Sequence, residues 1–115
     1  MANPTSLNTS YVVTPGNDIT VSVLFGDGQF GTSILRVLKK IKIGDLDEFV
    51  MGTGTALRGK TATIKSIVTD VNDKTNNVSA AYTIDGGPQP LEFVLESVVE
   101  NQGDSERFGV EISFV

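Results

Sequence analysis

Histidine, cysteine and tryptophan are all absent from this chain of 115 residues. Without histidine or cysteine there is no imidazole base for neutral pH, no Ser-His or Cys-His pair, and no thiolate or imidazole ligand for zinc. No disulfide can form, so a hydrophobic core has to hold the fold by itself. A chain of this length buries roughly two-thirds of its unfolded surface, which is enough for such a core. No apolar run approaches the ~20 residues of a membrane-spanning helix. The opening Met1-Ala2-Asn3-Pro4-Thr5-Ser6-Leu7 has neither the basic nor the apolar region of a signal peptide. The expectation is a soluble single domain over 1–115, with the cytoplasm favoured and export without a visible signal left open. The first nine residues, polar and carrying Pro4, read as a loose N-terminal segment.

Charge is unevenly spread along the acidic chain, whose net charge is -5. Residues 1–65 hold seven Lys/Arg against five Asp/Glu, a balance of +2. Residues 66–115 hold two against nine, a balance of -7. An acidic domain is poorly matched to a phosphate backbone, which argues against nucleic acid as partner. The counterweight is the basic group Arg36, Lys39, Lys40 and Lys42.

What the chain does have is period-two alternation, the mark of half-buried strands. Ile19, Val21, Val23 and Phe25 alternate with Thr20, Ser22 and Leu24. Ala62, Ile64, Ser66 and Val68 alternate likewise, followed by Val78, Ala80, Tyr82 and Ile84, and at the end by Phe108, Val110, Ile112 and Phe114. Shorter strands are expected over 10–14 and 49–51. Two segments, 32–43 and 91–100, fit helical as well as strand spacing, and strand is preferred for both. Residues 61–69 and 77–85 read as a hairpin with a long loop, and 91–100 as the hairpin partner of 106–115. Seven or eight strands at intervals near ten residues predict an all-β antiparallel sandwich, jelly-roll-like or immunoglobulin-like.

Two loops carry motifs. Gly26-Asp27-Gly28-Gln29-Phe30-Gly31 matches G-x-G-x-x-G after a strand and, with Phe30, resembles the glycine-rich loop of protein kinases. That resemblance implies a nucleotide-binding enzyme. It covers six residues of a chain too short for a kinase and without an Asp-Phe-Gly motif, and a turn between strands is the expected structure. Asp70-Val71-Asn72-Asp73 resembles the Asp-x-Asn-Asp-Asn calcium motif of cadherin linkers, with Lys74 at the final position. The resemblance implies weak calcium binding by Asp70 and Asp73, helped by Asp27 or Asp104 if the loops meet. It leads to a calcium-assisted carbohydrate-binding module as one reading.

The favoured reading is a non-enzymatic module that contacts a protein partner or a second copy of itself. No catalytic residue is assigned. The candidate interface is the row Glu92, Val94, Glu96, Val98 and Glu100, which a strand over 91–100 places on one side. Two valines in a solvated row have no use there, whereas an interface with charged flanks uses them. The Arg36–Lys42 group is the expected complement on a neighbouring copy.

Overall fold

The computed structural model describes residues 5–115. Period-two sequence becomes, among the described residues, nine strands and one turn of helix. These are β1 (Ser6–Tyr11), β2 (Asp18–Phe25), β3 (Phe30–Val37), β4 (Lys40–Gly44), β5 (Phe49–Thr53), α1 (Gly54–Leu57), β6 (Thr61–Thr69), β7 (Asn77–Asp85), β8 (Leu91–Val98) and β9 (Ser105–Phe114). They form a β-sandwich of two sheets. The five-stranded sheet has the order β1-β9-β6-β3-β4 and the four-stranded sheet the order β5-β2-β7-β8. Every pairing is antiparallel except β1 with β9, where the N-terminal strand runs alongside the C-terminal one.

The pleat decides the core. Ile64 and Val68 of β6, Val110 and Ile112 of β9, and Leu35 of β3 point inward from one sheet. Val21 of β2 and Val78, Tyr82 and Ile84 of β7 meet them from the other. One polar chain crosses this dry layer. The Tyr82 hydroxyl donates to Ser66 Oγ at 2.9 Å, and Ser66 shares a 2.8 Å hydrogen bond with Ser33. The three residues therefore tie β7 to β6 and β3, with every side-chain oxygen partnered. On its other side the Tyr82 ring stacks on Phe93 with centroids 5.1 Å apart.

Several sequence expectations are corrected by the topology. β6 and β7 are not a hairpin: they lie in opposite sheets, and residues 70–76 carry the chain across the sandwich. The same holds for β8 and β9, joined by residues 99–104. Alternation says which side of a strand is buried but not which strand lies beside it. A connection of six or seven residues is long enough to span the ~10 Å between packed sheets. The tight hairpin is instead inside the segment 32–43, where Leu38-Lys39 turns β3 into β4 and Val37 pairs with Lys40. Leu38 takes φ 55°, a conformation glycine or asparagine adopts more readily, so the turn carries no sequence signal. The expected strand over 10–14 lies earlier, at Ser6–Tyr11. Of the supposedly loose segment 1–9, residues 6–9 belong to β1, and residues 1–4 lie outside the described residues.

Burial raises the Tyr82 phenol above its ordinary value near 10, and the hydrogen bond to Ser66 offsets part of that rise. In the unfolded chain the same phenol ionises near pH 10. The native state then holds the proton that the unfolded state has lost, so stability is complete below about pH 10 and falls as pH rises through it. Tyr82→Phe is expected to flatten this alkaline loss in denaturant titrations. At neutral pH it should cost about 1 kcal/mol, because Ser66 keeps Ser33 as a partner. An unchanged alkaline slope in Tyr82→Phe contradicts the assignment.

Candidate functional site

β8 forms one edge of the four-stranded sheet, and its inward side is fully engaged. Leu95 is buried and Phe93 lies on Tyr82. This anchors the strand and leaves the alternate positions facing solvent. All five residues expected there, Glu92, Val94, Glu96, Val98 and Glu100, are exposed, with Glu100 just beyond the strand end. Val94 is 57% and Val98 65% accessible.

The register extends this row into a surface. Val94 sits opposite Ala81 of β7, and Ala81 sits opposite Leu24 of β2, which is 72% accessible. Leu24, Ala81 and Val94 thus make an apolar strip across three strands, about 10 Å long at the usual strand spacing. Polar rows border it: Glu92 with Thr83 and Ser22 on one side, Glu96 with Ser79 on the other. Sequence reasoning put Val94 and Leu24 each on the outward phase of its own strand but did not join them. The junction depends on the register of β2 with β7 and of β7 with β8.

The basic group Arg36, Lys39, Lys40 and Lys42 does not form one surface. Arg36 is exposed on the outer face of the five-stranded sheet, opposite Ile41. Lys39 lies in the turn. Lys40 and Lys42 are opposite the buried Val37 and Leu35, on the inner side of the edge strand β4. Lys40 Nζ there reaches the carbonyl of Met51 at 3.4 Å. Neighbours in sequence are parted by the pleat.

At one end of the sandwich the loops 26–29, 70–76 and 99–104 come together, and the first two are held by a residue the sequence did not single out. The Gln29 side-chain oxygen accepts from the backbone N–H groups of Val71 and Asn72 at 2.7 and 2.8 Å. Its nitrogen donates to the carbonyls of Thr75 and Asn77 at 3.2 and 3.0 Å. All four hydrogen-bonding positions of the amide are therefore used. Residues 26–29 of the Gly26–Gly31 segment form the turn that delivers Gln29, with the Gln29 N–H donating to the Gly26 carbonyl at 3.2 Å. Gly31 lies in β3 against the Phe25 ring, where a Cβ has no room. No helix opens after the motif, so it lacks the N–H cluster that holds phosphate in a dinucleotide fold.

The same end gathers the aspartates without pooling their carboxylates. Asp70 donates its N–H to the Asp104 carbonyl at 2.9 Å, and Asn72 Nδ2 donates to the Asp27 carbonyl at 2.8 Å. The Asp27 carboxylate accepts from Ser79, and that of Asp104 from the Asn101 N–H. Asp73 is exposed, while Asp70 is fully buried with both carboxylate oxygens unpartnered. Among the described residues no three or more His, Cys, Asp or Glu side chains stand close enough to hold a metal ion. The exposed carboxylates of Asp27 and Asp104 thus have partners within the protein, while the buried carboxylate of Asp70 has none. The large exposed aromatic of the described residues is Phe30, and both tyrosines are buried.

No protein-family model matches the chain, and neither a curated protein nor a solved structure matches it.

Replacing Gln29 by Leu is expected to release two N–H groups and two carbonyls of the 70–77 connection and to destabilise the protein by about 2–3 kcal/mol. Hydrogen exchange at Val71 and Asn72 should accelerate before that of the core strands. Unaltered exchange at those two amides contradicts the clamp.

Proposed function

We propose that this chain is a non-enzymatic β-sandwich module whose outer face on the four-stranded sheet docks protein. The observation that carries the reading is the strip Leu24–Ala81–Val94, exposed at Leu24 and Val94 and half-buried at Ala81, continuous across β2, β7 and β8 and bordered by Glu92 and Glu96. These side chains have no role in the fold of the chain itself, since the inward positions of the same strands fill the core. An apolar centre with a charged rim is the composition of a protein interface. The exposed carboxylates Glu92, Glu96 and Glu100 act in it as flanking charges that set orientation and rate of approach. A second reading, a cation at the loop end, is favoured by the orphaned carboxylate of Asp70 and rests on that one group.

Val94→Lys places a charge at the middle of the strip without touching the core, so the variant should fold normally. By sedimentation velocity at low salt, the native protein is expected to associate with rising concentration. Val94→Lys should weaken that association at least tenfold, a loss of about 1.4 kcal/mol. Raising salt toward 1 M shortens the screening length from about 10 Å to about 3 Å and should weaken the native association as well. A folded Val94→Lys protein with undiminished association contradicts this docking face.

A further inference from the structure

We infer that the partner of this face is the opposite face of a second copy of the chain, so that copies stack sheet on sheet, head to tail. The inference rests on the docking reading above and names its occupant.

The first ground is the segregation of charge between the two sheets. The strands of the four-stranded sheet contain no Lys or Arg and carry Asp18, Asp85, Glu92 and Glu96. The strands of the five-stranded sheet contain Arg36, Lys40, Lys42, Lys65 and Arg107 against Glu106 and Glu111. On its outer face the register sets Arg107, Lys65 and Arg36 on a diagonal across β9, β6 and β3, each one strand and one two-residue step from the next. With strands about 4.8 Å apart and about 3.3 Å per residue, each step is roughly 8 Å. Like faces repel and unlike faces attract, which disfavours a symmetric dimer through either sheet and favours a heterologous contact.

The second ground is a receptive surface between those cations. The outward row Ser6–Gly109–Lys65–Ile34–Ile43 crosses the five strands, and Gly109 leaves a gap in it between Ser6 and Lys65. A shallow depression of about 450 Å³ lies there, lined by Thr32, Ile34, Lys65, Ile67, Arg107 and Gly109. A Cβ built at Gly109 meets nothing within 4 Å, so the packing of the chain does not require glycine at this position. Strand glycines that make no bulge or bend are found where a ligand or another backbone approaches closely. Ile43, at 68% accessible, and Ile41, at 62%, continue the apolar surface onto β4. An occupant that offers aliphatic groups between carboxylates fits this surface, and Val94 between Glu92 and Glu96 has that composition.

The third ground is size. The molecule measures 45 × 27 × 19 Å, the shortest extent being that of two stacked sheets. Its broad faces are large enough to supply the ~800 Å² per partner of a standard interface. Because the two faces differ, stacking through them continues into a ring or a filament.

Two variants with one face blocked in each test this. Gly109→Glu fills the depression with bulk and negative charge, in open space, and leaves the outer face of β8 intact. Val94→Lys blocks the strip and leaves the depression intact. Circular dichroism and thermal midpoints are expected to match the native protein for both. Each variant alone should be monomeric by sedimentation at low salt. An equimolar mixture should form a dimer that does not grow further, since one good pair of faces remains. A mixture that stays monomeric overturns the stacking. So does a Gly109→Glu protein that associates like the native one while Val94→Lys does not; the docking face then stands with another occupant, such as the β4 edge of a neighbour. A native chain that is monomeric throughout overturns the second-copy assignment and leaves the face to a different protein. A Val94→Lys chain that associates like the native one removes the docking face itself.

Discussion

The constraint on which the rest of this structure depends is the strand pleat, applied twice. Each sheet has to bury alternate side chains against the other, and neither disulfide nor zinc–thiolate site relieves that demand in a chain without cysteine. The inner faces are consequently occupied by residues such as Ile64, Val110, Val21 and Ile84, with a fully buried polar crossing from Tyr82 through Ser66 to Ser33. Once the inner faces are settled, the outer faces are free of folding duties. What stands on them is therefore informative about contacts beyond the chain.

Much of the fold was legible because period two is a local property. Strand positions over 19–25, 61–69, 77–85 and the C-terminal segment follow from it, and so do the buried sides. Partnership is not local. Val78 to Ile84 alternates identically whether β7 lies beside β6 or across the sandwich from it, and only the length and closure of residues 70–76 decide. That closure is made by Gln29, 42 residues away in sequence from Val71, which no spacing rule picks out. The β3–β4 turn escaped notice for a different reason. Leu38 adopts a positive φ that its side chain does not advertise.

The candidate surface was legible in part for the same reasons. The exposure of Glu92, Val94, Glu96, Val98 and Glu100 follows from parity along one strand. Leu24 and Ala81 join them through register between strands, which parity cannot supply. Cations adjacent in sequence do not make the basic complement. The pleat sends Arg36 outward and Lys40 and Lys42 to the inner side of the edge. Arg107 and Lys65, far apart in sequence, come to lie near Arg36 through the β9-β6-β3 register. The aspartate loops show the same separation of sequence motif from side-chain geometry. The loops converge, but Asp27 and Asp104 are engaged with Ser79 and Asn101, leaving the Asp70 carboxylate alone in the interior.

In the proposed stack an acidic, valine-bearing face meets a basic face built around Gly109. Carbodiimide coupling, which joins carboxylates directly to lysine amines, reads this contact in a mixture of isotopically light and heavy protein. Face-to-face stacking predicts mixed-isotope links from Glu92 or Glu96 to Lys65. Mixed links confined to Lys40 and Lys42 of the β4 edge, or no mixed links at concentrations where the protein associates, contradict it.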